Sequence, residues 1–139
     1  MVKVKIGTNT TISHFTNLYG CELGDDVFVG PFVEIQKNCI IGNNTRISSH
    51  SFICEGVNIG ENCFIAHGVM FTNDKFTEEK DEWILRKTTV GDNVRIGSNS
   101  TILPVKIGNN CVIGAGSVVT KDIPDGSIVY GNPAKIKKI

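Results

Sequence analysis

The three histidines of the chain are its clearest candidates for proton-transfer chemistry. They are His14, His50 and His67. Histidine is the side chain best suited to accept and release a proton near neutrality, so any of them could serve as a general base. Shortly after His67 comes a highly charged stretch over residues 72–89, which contains Asn73 and the only tryptophan. A reaction site would have to be built from these groups by the elements around them.

Those elements follow a repeat of six residues. Aliphatic or aromatic anchors recur at this period, except for two five-residue steps, Leu18 to Leu23 and Ile102 to Ile107, and one nineteen-residue step, Phe71 to Val90. A unit this short cannot bury a core alone, but stacked copies can, so the pattern predicts a solenoid. The anchors are Ile6, Ile12, Leu18, Leu23, Val29, Ile35, Ile41, Ile47, Ile53, Ile59, Ile65, Phe71, Val90, Ile96, Ile102, Ile107, Ile113 and Val119.

Each unit is predicted to be a short strand followed by a turn. A smaller residue, such as Val27, Thr45 or Cys63, precedes an anchor by two positions, which is the alternation of a strand. Glycine and asparagine recur after the anchors, where a turn needs positive φ. We therefore predict an all-β fold: a left-handed parallel β-helix of about six coils. It has one long loop over 72–89, a short C-terminal cap and a single domain spanning 1–139.

Three units make one triangular coil, so the stacked coils form a prism, and grouping the units in threes assigns the candidate residues to its corners. The first turn of every coil has a Gly-x-Asn or similar polar sequence, so one polar corner should run along the prism. All three histidines follow the second unit of a coil and should share another corner, with His50 and His67 one coil apart, roughly 4.8 Å along the axis. The 72–89 stretch interrupts the repeat after the third unit of coil four. It is either a solvated surface loop or a loop that covers a site and reaches a neighbouring subunit.

The five cysteines do not indicate a metal site or a disulfide framework. Cys39, Cys63 and Cys111 occupy the small interior position of the repeat, where a thiol packs as a compact apolar group, and Cys21 and Cys54 fall in turns. A zinc site of three histidines is disfavoured because His14 is separated by two coils from His50. No metal is expected.

Composition excludes several classes of partner. The 139 residues carry 14 basic and 14 acidic side chains, a net charge of zero, which argues against nucleic acid and anionic membrane surfaces. The sequence has no apolar run of membrane-spanning length and no signal-peptide core at its start. We expect a soluble cytoplasmic protein with no nucleic-acid or membrane partner.

Three segments resemble the hexapeptide-repeat acyltransferases: His67–Phe76, Gly114–Pro124 and Gly131–Lys135. Residues 46–76 are most similar to N-acetyltransferases that act on nucleotide-linked 3-amino sugars, of the dTDP-3-amino-3,6-dideoxyhexose or UDP-3-amino-uronate type. The resemblance implies a homotrimer with sites at subunit interfaces. It also implies acetyl-CoA as co-substrate and a role in surface-polysaccharide precursor synthesis.

The resemblance also assigns roles to individual residues. Asn73 would position the sugar amine, and His67 or His50 would accept or relay its proton. The remaining contacts to the amino sugar would come from Asp74, Phe71 and Phe76. Pantetheine would lie beside Ser98, Ala115 and Gly116, and the CoA phosphates and adenine would contact Lys121, Pro133 and Lys135.

The chain departs from the family pattern at two points. Phe76 is followed by Thr77, where the family has Pro-Arg, and Pro104 is followed by Val105, where many relatives have glycine. Two other functions fit the same repeat: a sugar O-acetyltransferase, which depends more on a histidine base because a hydroxyl is a poorer nucleophile, and a non-catalytic trimeric binding module.

Overall fold

Three parallel sheets form the sides of a triangular prism, and each sheet receives one strand from every coil. The computed structural model describes residues 3–74 and 84–139. Its strands are β1 (Lys5–Ile6), β2 (Thr11–Ile12), β3 (Asn17–Leu18), β4 (Glu22–Leu23), β5 (Phe28–Val29), β6 (Glu34–Ile35), β7 (Ile40–Ile41), β8 (Arg46–Ile47), β9 (Phe52–Ile53), β10 (Val57–Ile59), β11 (Phe64–Ile65), β12 (Met70–Phe71), β13 (Thr88–Val90), β14 (Arg95–Ile96), β15 (Thr101–Ile102), β16 (Lys106–Ile107), β17 (Val112–Ile113), β18 (Val118–Val119), β19 (Ile128–Gly131) and β20 (Ala134–Lys138).

The sheet order confirms the predicted solenoid of six coils. Sheet 1 has the order β1-β4-β7-β10-β13-β16, sheet 2 begins β2-β5-β8-β11-β14-β17, and sheet 3 holds β3, β6, β9, β12, β15 and β18. Every third strand pairs with its equivalent in the next coil, as the grouping in threes requires. The antiparallel hairpin β19–β20 then extends sheet 2 beyond β17, and it is the predicted C-terminal cap.

The interior is built from the anchors and the smaller residues that precede them. Anchors of successive coils pair directly, as in Val29 with Ile47 and Ile47 with Ile65, so branched side chains stack in columns along the axis. The predicted anchor Ile6 is 44% exposed because it lies in the first coil, where no preceding coil covers it. The interruption is shorter than predicted, because Thr88 and Thr89 of the 72–89 stretch belong to β13.

All five cysteines are buried, including the two that the sequence placed in turns. Cys21 precedes the anchor Leu23 by two residues, so it occupies the small interior position. The five-residue step before Leu23 conceals this in the sequence. Cys54 follows the anchor Ile53 directly and still packs in the core.

The first corner, between sheets 1 and 2, is held by a ladder of side chains. Asp25 accepts a hydrogen bond from the Thr8 amide, and Asn43 accepts one from the Asp25 amide, both at 2.8 Å. The same contact recurs further along, where Asn109 accepts from the Asp92 amide at 2.7 Å. The third residue of this turn has positive φ in every coil: Asn9, Asp26, Asn44, Asn62, Asn93 and Asn110. The predicted polar corner is therefore present along the whole prism.

Replacing Asn44 by alanine should lower the free energy of unfolding by about 1 kcal/mol, because φ is 60° there and a Cβ without a polar group disfavours that region. Replacing it by glycine is the matched control and should change the free energy by no more than ~0.5 kcal/mol. Urea denaturation of the three proteins measures both values. Equal losses for alanine and glycine would show that the asparagine side chain, rather than the backbone angle, matters here.

Candidate functional site

The second corner, between sheets 2 and 3, carries both histidines that the sequence proposed as catalytic. Its turns follow β2, β5, β8, β11, β14 and β17, and they place His14, His50 and His67 on one edge of the prism, as predicted. The turns offer two columns of outward side chains. The column of second turn residues holds His14, Pro31, Ser49, His67, Ser98 and Ala115, and the column of third turn residues holds Phe15, Phe32, His50, Gly68, Asn99 and Gly116.

His67 lies in the first of these columns and is oriented by the preceding coil. Its Nδ1 is 2.9 Å from the hydroxyl of Ser49, and its backbone carbonyl accepts a hydrogen bond from the Asn99 amide. Within the described part of the chain, Nε2 has no hydrogen-bond partner. When Nδ1 donates its proton to Ser49, Nε2 carries the free lone pair and can accept a proton from a substrate.

His50 lies in the other column and has a different environment. Its ring centroid is 5.0 Å from that of Phe32, which in turn stacks at 5.9 Å and 9° on Phe15. All three residues have positive φ, between 60° and 65°. His50 thus continues an aromatic ladder, and its ring does not join Ser49 and His67. The sequence placed the two histidines on one corner but did not separate the two columns.

The residues predicted to hold pantetheine continue the same corner toward the C-terminus. Ser98 and Ala115 follow His67 in its column, and Gly116 stands beside Ala115 and donates its amide to the Ser98 carbonyl at 2.8 Å. The turns pack so closely that a Cβ at Gly97 would collide with the backbone of Ala115. The structure therefore brings five of the predicted residues onto one edge: His50, His67, Ser98, Ala115 and Gly116.

Asn73 and Asp74 lie on the third corner, one side of the prism away from His67. They line a cleft of about 210 Å³ together with Gln36, Phe52, Cys54, Phe71 and Thr72. The Asn73 side chain donates to the Glu55 carbonyl at 3.4 Å. Since β12 separates the two corners, a single chain does not bring Asn73 to His67.

The other predicted site residues are distributed over the prism. The Phe71 side chain points inward and is fully buried. The substrate contact proposed for it stays a prediction. Lys121 is exposed on the third corner, and Lys135 lies in the hairpin strand β20, just after the cis peptide bond that precedes Pro133. Phe76 lies outside the described residues.

Two features of the second corner were missed from the sequence. Ser49 occupies the place in the repeat that His67 occupies one coil later, so the repeat alone could have paired them. Beside them is a cleft of about 370 Å³, lined by Phe28, Gly30, Pro31, Arg46, Ser48, Ser49, Phe64 and His67. Its strand residues Phe28, Arg46 and Phe64 each precede an anchor by one position, where the repeat indicates only exposure.

The buried thiols are expected to be unreactive. Burial raises the pKa of Cys21 to about 11 and that of Cys54 to about 12, and it also raises the pKa values of Cys39 and Cys63. A thiol in this state is a poor nucleophile, because the thiolate is the reactive form. Across residues 3–74 and 84–139, no three histidine, cysteine or acidic side chains converge to hold a metal ion.

These thiols should make stability decrease at alkaline pH. In the unfolded chain a thiol ionises near pH 8.5, whereas the folded chain keeps it protonated, so the unfolded state binds fewer protons as pH rises. We expect the free energy of unfolding to fall above about pH 8.5, by up to about 1.4 kcal/mol per pH unit for each such thiol. Urea denaturation under reducing conditions between pH 7 and 9.5 measures the slope. A Cys21→Ala/Cys54→Ala variant with an unchanged slope would contradict this assignment.

Two models of hexapeptide transferase repeats match parts of the chain. Residues 20–55 and 38–73 match the model of the bacterial transferase hexapeptide (six repeats), and residues 87–121 match the hexapeptide repeat of succinyl-transferase. The bifunctional protein GlmU of Acinetobacter baumannii is 36% identical over 135 residues, which are 96% of this chain and 28% of that protein. The chain thus spans little more than a quarter of the length of this curated relative.

Two solved structures share the fold. A variant of the N-acyltransferase AntD from Bacillus cereus, in complex with dTDP and coenzyme A, has a TM-score of 0.87 at 22% identity. The match covers 96% of this chain and 82% of that one. A variant of GDP-perosamine N-acetyltransferase from Caulobacter crescentus, in complex with CoA and GDP-perosamine, has a TM-score of 0.78 at 24% identity. Here the match covers 94% of this chain and 57% of that one.

The described part of the present chain contains no helix long and apolar enough to cross a membrane.

Proposed function

Because the chain belongs to the hexapeptide-repeat transferases, we propose that it is an acetyl-CoA-dependent N-acetyltransferase acting on the amino group of a nucleotide-linked 3-amino sugar. The observation that carries the proposal is the second corner, where His67, held by Ser49, is followed by the turns of Ser98 and Ala115. AntD and GDP-perosamine N-acetyltransferase, which share the fold, were solved with CoA and a nucleotide or nucleotide sugar. A dTDP- or UDP-linked sugar is the proposed acceptor.

In the proposed reaction the sugar amine attacks the thioester carbonyl of acetyl-CoA. The new bond is C–N, the bond that breaks is C–S, the amine loses one proton, and the CoA thiolate takes one up. His67 accepts the amine proton at Nε2, and its contact with Ser49 fixes the ring. A turn amide of the last coils, such as that of Ala115, donates to the carbonyl oxygen as it gains negative charge.

The proposed site requires a second copy of the chain. His67 and Asn73 lie on neighbouring corners of one prism, so a site that uses both must join the second corner of one copy to the third corner of another. A contact between two different surfaces forms a ring when the rotation between copies closes, and a homotrimer is the ring we propose. The proposed setting is the cytoplasm, in the synthesis of surface-polysaccharide precursors.

The proposal is tested by acetyl-CoA consumption with dTDP- and UDP-linked amino sugars and with their hydroxyl counterparts. We expect turnover with an amino sugar and much slower turnover with the matching hydroxyl sugar, because a neutral amine is the better nucleophile. Preference for the hydroxyl sugar would identify an O-acetyltransferase instead. If saturating acetyl-CoA neither reacts nor raises the melting temperature, the chain is a binding module and the proposal fails.

A further inference from the structure

We propose that the cleft around Arg46 binds the diphosphate of the acceptor nucleotide, with the Arg46 guanidinium contacting its phosphate oxygens. This inference rests on the proposed function, because it assigns the acceptor of that same site. The cleft of about 370 Å³ described above ends at His67 and is open to solvent along β5, β8 and β11. Its lining combines a guanidinium, two serine hydroxyls and aromatic rings, which are groups that recognise a nucleoside diphosphate.

Arg46 is exposed and stacks on an aromatic ring of the preceding coil. Its guanidinium carbon is 4.1 Å from the centroid of the Phe28 ring, and Phe64 pairs with Arg46 from the following coil. Among the described residues, Arg46 has no carboxylate partner at ion-pair distance. Stacking on a ring leaves the N–H donors in the guanidinium plane available to a phosphate, which arginine binds through two parallel hydrogen bonds.

The outer face of sheet 2 has a charge that suits an anion. Side chains alternate across a strand, so the residue before each buried anchor points outward. On sheet 2 this row contains two arginines and no acid. The corresponding row of sheet 1 contains two lysines, one of which pairs with Glu22, and that of sheet 3 contains Glu34 and no base. The row is Thr11, Phe28, Arg46, Phe64, Arg95 and Val112. A chain of zero net charge thus concentrates positive charge beside its candidate site.

The position of the cleft assigns it to the acceptor rather than to CoA. The predicted pantetheine residues Ser98 and Ala115 follow His67 toward the C-terminus, whereas Phe28 and Arg46 precede it. The two substrates would therefore approach His67 from opposite ends of the same corner. Arg46 lies one coil before His67, about 4.8 Å along the axis, which leaves room for a sugar ring between the phosphates and the reacting amine.

The test is direct titration of wild-type protein, Arg46→Gln and Lys106→Gln with UDP, dTDP and CoA by isothermal calorimetry. Lys106 is the matched control, because it is an exposed cation on the outer face of sheet 1. We expect Arg46→Gln to weaken UDP or dTDP binding about 10-fold or more and to leave CoA affinity within about twofold. Lys106→Gln should change none of the three.

Unchanged CoA affinity also shows that the variant is folded. If Arg46→Gln weakens CoA and spares both nucleotides, the cleft belongs to the donor and the proposal is overturned. It is equally overturned if the wild-type protein binds neither nucleotide, or if the variant binds both as the wild type does. These titrations need no turnover, so a failure of acetyl transfer is detected separately in the acceptor assay.

Discussion

Replacing His67 by asparagine is expected to lower kcat by roughly 100-fold or more, because the amine would lose its proton acceptor in the transition state. Acetyl-CoA affinity should stay within about twofold, since the imidazole acts on the acceptor. Steady-state kinetics with the best nucleotide-linked amino sugar measures kcat, and calorimetry measures the affinity. The matched control is His50→Asn, on the same corner one coil earlier at a φ of 65° that asparagine tolerates, which should retain most of the activity.

The reverse result, a large loss for His50→Asn alone, would assign the base to the aromatic ladder. Full activity in both variants would mean that the departing thiolate takes the proton without help from the protein.

The His67→Asn variant also tests whether the site is shared between two copies. If Asn73→Ala is inactive as well, refolding equal amounts of Asn73→Ala and His67→Asn together should restore about a quarter of the wild-type activity. A site is intact only when one copy supplies His67 and its neighbour supplies Asn73, and each condition holds for half of the copies. No recovery in a mixed trimer would show that both residues act from one chain, or that Asn73 acts elsewhere.

Replacing Phe71 by alanine is expected to reduce the free energy of unfolding by about 3–5 kcal/mol, because the ring is fully buried and its removal leaves a cavity between coils. The preceding residue is the matched control. Met70 is on the same strand, points outward and is 41% exposed, so Met70→Ala should cost no more than about 1 kcal/mol. Denaturant titration of both variants measures the difference.

Similar costs at the two positions would contradict the inward direction of Phe71. Activity of the Phe71 variant is informative only where the protein is still folded, because its side chain supports β12 and the turn that carries Asn73.

The repeat predicted the scaffold because every interior position is defined by its distance from an anchor. It failed at two places. The five-residue step before Leu23 hid the burial of Cys21, and the repeat does not show that Ile6, at the end of the prism, has no preceding coil to cover it. The candidate site was predicted only in part. The corner of His67 follows from counting units, but its contact with Ser49 depends on the column within the turn, and the isolation of Arg46 from carboxylates depends on three neighbouring coils.

The joining of coils four and five has a consequence for how the chain folds. Equivalent strand residues of successive coils are otherwise 17 or 18 residues apart, as in Leu23 with Ile41, whereas those of coils four and five are 31 residues apart, as in Ile59 with Val90. Loop-closure entropy grows only with the logarithm of length, so this longer step costs about 0.5 kcal/mol more than an ordinary one. The prism can therefore tolerate large changes of length between β12 and β13 at little thermodynamic cost, and the segment next to Asn73 can vary while coil stacking remains intact.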